Sequence, residues 1–258
     1  MKYLVGEMSN GSAKLRDTHP RGIGRCYVER PLAPARGEPW MLDNGVFRTW
    51  NANGRNPDTD YSADYARFER RLPEVGRLAD AGRGPLFIVV PDRPGCSRSL
   101  DVSVAWIERY RRVFMRRIDH WGYWHGREFS RVPLYLAVQD GMTPATLATN
   151  PVLEQVSGLF IGGTDDFKTR IDGWAGLAEM AGLKLHYGRC TMSRIDEARR
   201  VGCDSADSSH PNRLAGARWE RFLQVHDDQC HNDVATDPFR NVRTSKLPPT
   251  EWLIGEAS

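Results

Sequence analysis

Short β-like runs alternate with longer stretches of helical periodicity along this chain, and that alternation constrains the fold more than any other feature. The runs are Tyr3–Val5, Trp40–Leu42, Leu86–Val90, Leu134–Val138, Leu159–Ile161, Lys184–Tyr187 and, more weakly, Cys203–Ala206. Between them, residues 61–81, 100–121, 144–156, 166–181 and 193–201 carry apolar side chains at three- and four-residue steps, several opened by Asp, Ser or Thr caps. Strands separated by helices pair in parallel. Seven strands are countable, and a closed barrel needs eight. The pattern predicts an α/β fold, a (β/α)8 TIM-like barrel irregular at its C-terminal end, with the missing strand expected after a helix over 213–225. An open doubly wound sheet is the second choice. No Gly-x-Gly-x-x-Gly follows the first run, which removes the main motif of a dinucleotide fold. Residues 11–37, rich in Gly, Pro and Arg, predict a long loop; residues 48–60 predict another, suited to a mobile lid directly after Phe47. From about residue 237 the chain reads as an irregular tail.

A length of 258 residues with 40% hydrophobic content suits one domain, 1–258, with its own core. No signal-peptide core opens the chain and no apolar run approaches the ~18 residues of a membrane span, so a soluble, cytoplasmic protein is expected. Cys26, Cys96, Cys190, Cys203 and Cys230 are scattered, odd in number and without a C-x-x-C pair. Reduced thiols are expected rather than a disulfide framework or a zinc knuckle. A net charge of +3 does not by itself imply a nucleic-acid partner. Its distribution says more: between Trp106 and Arg131 arginines interleave with aromatics, and Arg109, Arg112 and Arg116 recur on one helical face that can meet phosphates. A solvated outer helix in an Arg-biased chain accounts for the same spacing.

The polar residues with chemical potential stand at the carboxyl ends of the predicted strands: Asp43, Asp92, Gln139-Asp140, Gly162-Gly163, Tyr187-Gly188 and Asp207. Barrel enzymes place their chemistry there. The segment from Val201 to Arg213 delivers Asp204 and Asp207 into a turn closed by Pro211 and Arg213. Asp204, three residues before Asp207, falls on the opposite face of the same run. Ordinary caps and turns account for most loop aspartates. His186 and His210 read as polar residues of the barrel mouth, and no His-x-His follows the first strand to suggest a metal hydrolase.

Leu42-Asp-Asn-Gly-Val-Phe47, Val89-Val-Pro-Asp92, Ala137-Val-Gln-Asp-Gly141, Leu159-Phe-Ile-Gly-Gly-Thr164 and the Val201–Arg213 segment together resemble the tRNA-guanine transglycosylase superfamily. Asp207, Pro211 and Arg213 match the Asp, Pro and Arg of its Asp-Cys-Val-x-Pro-Thr-Arg element, and Asp43-Asn-Gly-Val-Phe47 matches Asp-Ser-Gly-Gly-Phe/Tyr at three of five positions. The resemblance runs from Pro39 to Arg213. It implies a base-exchanging enzyme in which Asp207 is the nucleophile and Asp43 the general acid and later base. It further implies that Asp92 and Gln139 read a guanine-type base, that Gly162, Gly163 and Thr164 offer backbone donors, and that Phe47 and Tyr187 sandwich the ring, although Tyr187 also reads as core. Arg213 would hold a flanking phosphate, with Arg109, Arg112 and Arg116 as further candidates.

Val46, Asp140, Ser208 and Ser209 depart from the family elements, and the family's C-x-C-x-x-C…His zinc site is represented only by Cys230-His231. No metal or other cofactor is expected. The chain looks more like the phage and bacterial enzymes that place 7-deazaguanine bases, of the preQ0 type, in DNA. The implied partners are therefore DNA and a free 7-deazaguanine, with tRNA as the alternative substrate and a catalytically silent nucleic-acid-binding barrel as the rival reading.

Overall fold

The computed structural model describes residues 1–6, 23–29, 31–121 and 132–208, with the backbone alone for 111–121 and 192. Eight parallel strands close into a barrel in sequence order: β1 (Lys2–Gly6), β2 (Ile23–Tyr27), β3 (Trp40–Leu42), β4 (Phe87–Val89), β5 (Leu134–Val138), β6 (Gly158–Ile161), β7 (Lys184–Tyr187) and β8 (Ser205–Ser208). The closing pair sets Leu4 beside Asp207 and Val5 beside Ser208. Around the barrel run α1 (Val46–Ala52), α2 (Ser62–Asp80), α3 (Ser99–Trp121), α4 (Pro144–Ala148), α5 (Asp165–Lys168), α6 (Ile171–Met180) and α7 (Ile195–Arg200). The expected barrel is the observed one.

The eighth strand is not where the sequence pattern places it. It is β2, inside the stretch read as a long loop, and it pairs with both β1 and β3. Gly24 and Arg25 hide its alternation, and Gly24 is needed: a Cβ there would stand 2.1 Å from the Pro39 carbonyl oxygen. At the other end, β8 begins two residues later than expected. Gly202 turns the chain at φ +78°, and the Asp204 carbonyl accepts from Lys2 N–H before the strand begins. The expected lid is also corrected, because α1 occupies its first part and buries Val46 and Trp50 against Tyr61. The helical pattern over 144–156 breaks after α4, where Asn150 caps a 3-10 turn opened by Pro151. That over 166–181 divides into α5 and α6.

Alternation along the strands sorts side chains into two cores. Leu4, Cys26, Met41, Phe87, Val89, Tyr135 and Ala137 fill the barrel interior, whereas Tyr3, Leu42, Ile88, Leu136, Ile161 and Tyr187 pack outward under the helices. Each such side chain contributes about 1.5–3 kcal/mol when fully buried. The interior becomes aromatic toward β4–β7, where Phe87 stacks on Tyr135 at 3.9 Å and Phe160 stacks on His186 at 4.9 Å. The aromatic stack is the floor beneath Asp207.

Candidate active site

Asp207 projects from the inward face of β8 at the carboxyl-terminal mouth and is 8% exposed. Its Oδ1 accepts from His186 Nε2 at 2.9 Å and from the backbone N–H of Arg189 at 3.1 Å. Among the described residues Oδ2 has no hydrogen-bond partner. His186 is fully buried, and burial pushes its imidazole down against the pull of the Asp207 carboxylate. A neutral ring fits both contacts: Nε2–H donates to Asp207, and Nδ1 accepts from the Ser205 hydroxyl at 2.8 Å. The result is a carboxylate with Oδ1 fixed by a buried imidazole and by a backbone N–H of the β7 loop. Asp204, by contrast, lies before β8 and pairs with Lys184 at 2.7 Å. It belongs to the opposite end of the barrel.

A second carboxyl pair follows β3 and β4. Asp92 is buried; its Oδ1 accepts from Asn44 Nδ2 at 2.7 Å and its Oδ2 from Gln139 Nε2 at 2.6 Å. Burial pushes its carboxyl up to about 7, with the charge of Asp43 raising it further against the two amide donors. Asp43 is half-buried and accepts the Gly45 N–H at 3.1 Å. Asn44 also donates to the Val90 carbonyl and accepts from Val46 N–H, so it braces both loops. The second Gln139 donor goes to Ser99 Oγ at 2.6 Å, which already accepts from Arg93 N–H. Turning the Gln139 amide lets its carbonyl accept from Ser99 and from a protonated Asp92.

Phe47, on α1, carries the Arg189 guanidinium 3.8 Å above its ring centre, and the same guanidinium donates to the Gly163 carbonyl. Gly163 has φ +68°, and a Cβ there would meet Phe167 at 2.8 Å and Asp140 Oδ2 at 2.9 Å, so only glycine fits. Beside it, Lys168 is buried, donates to the Gly188 carbonyl and lies 5.0 Å from the Tyr187 ring. Burial pushes its ammonium down to about 7, Arg189 adding to the effect and Asp207 opposing it.

The structure brings Asp207, Phe47, Gly163, Asp43, Asp92 and Gln139 to the barrel mouth and rearranges the rest. Tyr187, expected to stack on the ring, is fully buried on the outward face of β7, its hydroxyl between Glu197 and Arg194. The strand's period of two forces this once His186 points inward. Two of the three expected backbone donors are spent: Gly162 N–H on Val138 O at 2.9 Å and Thr164 N–H on Asp140 Oδ2 at 2.8 Å. Arg109 lies on the outer helix α3, largely exposed, and its guanidinium pairs with Glu69, which also accepts from Trp106 Nε1. The side chains of Arg112 and Arg116, and Arg213, Cys230 and His231 entirely, lie outside the described residues. Among the described residues no three His, Cys, Asp or Glu side chains gather into a metal-binding group, and no helix is long and apolar enough to cross a membrane.

Arg189, Lys168 and Asn44 carry weight that sequence reasoning does not assign. Lys168 has one usable signal: it is one of five lysines in an Arg-rich chain and falls between Phe167 and Ile171 in an inward-facing stretch.

Fold and mouth define a (β/α)8 barrel that gathers three carboxyl groups, Asp43, Asp92 and Asp207, at the carboxyl ends of its strands. No family model matches the chain and no curated protein matches it. Among solved structures it is similar to an HpcH/HpaI aldolase from Desulfitobacterium hafniense, at 9% identity over 92% of this chain and 96% of that one, TM-score 0.42. It is also similar to tryptophan synthase from M. tuberculosis, at 14% identity over 82% of this chain and 84% of that one, TM-score 0.41. At these values the likeness carries no argument about activity.

Proposed function

We propose that the protein is an enzyme, a guanine transglycosylase that exchanges a guanine for a 7-deazaguanine base in DNA. The observation that carries this reading is the carboxylate of Asp207, held through Oδ1 by His186 and Arg189, with Oδ2 bonded by no described residue, at a barrel mouth that also contains Phe47, Asp43 and Asp92. Such an oxygen is suited to attack C1′ of a flipped nucleotide from below the sugar. The C1′–N bond breaks, a C1′–O ester to Asp207 forms, and the departing guanine takes a proton from Asp43, the carboxyl beside the proton-holding Asp92. The incoming base returns its ring N–H proton to Asp43, its nitrogen attacks C1′, and the ester bond breaks to regenerate Asp207. Two inversions restore the original configuration.

DNA is preferred to tRNA on the sequence resemblance, and both carry the phosphates and guanine that the site requires. Labelled-guanine incorporation into matched DNA and RNA oligonucleotides tests the reading. Incorporation into DNA, with a covalent adduct that disappears in Asp207→Asn, is expected. Incorporation into RNA alone moves the substrate to tRNA, and binding of both without incorporation into either favours a silent nucleic-acid-binding barrel.

A further inference from the structure

Arg189 stands where a base has to lie. Its guanidinium is in van der Waals contact with the Phe47 ring at 3.8 Å and donates to Gly163 O, so no planar ring fits between them. A guanidinium is itself flat, rich in N–H donors and at home on an aromatic face, and it thus satisfies the slot much as a purine edge does. Its backbone is held at φ +51°, a left-handed conformation uncommon for a side-chain-bearing residue, while its N–H is fixed to Asp207. The other non-glycine residue with positive φ among the described ones is also an arginine, Arg55 at 62°, and its charge opposes that of Arg189. Asp207, Asp165 and Asp140 face the same guanidinium and draw it inward. Two arginines in costly backbone conformations at one mouth point to a role for their side chains.

We propose that Arg189 is a latch on the base slot: it covers Phe47 in the empty protein, and a backbone phosphate of the nucleic acid draws it off. The inference rests on the exchange reading above. A phosphate offers a guanidinium two charge-assisted hydrogen bonds in place of one carbonyl and an aromatic face. Arg55 adds positive potential that favours its approach. The slot then opens only on a bound strand, and free base is excluded until nucleic acid has docked.

Equilibrium dialysis of labelled guanine against the whole protein tests this, comparing wild type with Arg189→Gly, a change that suits φ +51° and so leaves the backbone in place. Arg189→Gly is expected to bind guanine at least tenfold tighter than wild type when no nucleic acid is present. Oligo-dT, which supplies phosphates without guanine, is expected to tighten guanine binding by wild type and to leave Arg189→Gly unchanged. Equal or weaker guanine binding by Arg189→Gly overturns the latch, and tighter binding with no response of wild type to oligo-dT overturns the phosphate trigger. Absence of binding by both proteins also overturns the latch. The exchange reading falls with it only if wild type incorporates no guanine into DNA or RNA.

Discussion

Replacing Asp92 with asparagine separates the cost of its buried proton from every other feature of the site. Burial moves this carboxyl from 3.8 to about 7 in the folded chain. Between those values the folded chain holds a proton that the unfolded chain has lost, so stability falls as pH rises through the interval. The slope is ~1.4 kcal/mol per pH unit and the whole interval amounts to ~4 kcal/mol, all of it lost above pH 7. The amide introduced by Asp92→Asn keeps the size and the contacts, its carbonyl accepting from Asn44 and its NH2 donating to a turned Gln139 carbonyl. Urea unfolding of both proteins from pH 4.5 to 8.5 gives the difference in stability at each pH, and subtraction cancels the titration of His186 and Lys168. Asp92→Asn is expected within ~1 kcal/mol of wild type at the acid end and more stable by up to ~4 kcal/mol at the alkaline end. A difference that stays flat across the window refutes a raised Asp92 and with it the carboxyl pair as a proton store.

Asp207→Asn is expected to abolish exchange and the covalent adduct while leaving the melting curve near that of wild type, as measured by incorporation and by denaturing gel. His186→Ala removes the brace below Oδ1, and about a 10- to 100-fold drop in kcat with little change in KM is expected, since the substrate's own contacts persist. Lys168→Met is expected to stabilise the fold most below pH 7: the folded ammonium deprotonates at about 7 and the unfolded one at 10.5, so wild-type stability climbs between those values and the gap narrows. Tyr187→Phe is expected to cost about 1 kcal/mol in unfolding experiments through its lost hydrogen bonds and to leave exchange intact, whereas Phe47→Ala should raise KM for the base.

The barrel is legible in the sequence because six of its strands, β1 and β3–β7, keep apolar or aromatic runs, and Asp43, Asp92 and Gln139 follow the carboxyl ends of three of them; β8, Ser-Ala-Asp-Ser, shows itself mainly through Asp207. β2 is not legible, because its inward positions are Gly24 and Cys26 and its centre is Arg25; what defines it is pairing with β1 and the close approach of Pro39, at the start of the neighbouring β3, a tertiary fact. The stacking partner escapes sequence reading for a related reason. Sequence places Tyr187 and Arg189 two residues apart on one parity, but the strand ends at Tyr187, and beyond it the left-handed turn at Arg189 resets which way a side chain points.

The departures from the resembled motifs also have physical content. Val46 replaces a glycine but sits in the first turn of α1, where it is buried with Trp50 and Tyr61, so the aliphatic side chain anchors the helix that carries Phe47. Asp140 replaces another glycine and binds both the N–H and the hydroxyl of Thr164, at 2.8 and 2.6 Å. That double contact consumes a backbone donor but ties the β5 loop to the β6 loop and holds Gly163 with its carbonyl toward Arg189. On the proposed exchange reading, base recognition at this mouth therefore falls to the Gln139 amide, bonded to Asp92, rather than to a row of backbone N–H groups. If the protein exchanges bases as proposed, its base selectivity should change across the pH range near 7 in which the Asp92 carboxyl titrates, and exchange assays with guanine and a second purine at about pH 6 and 8 check this.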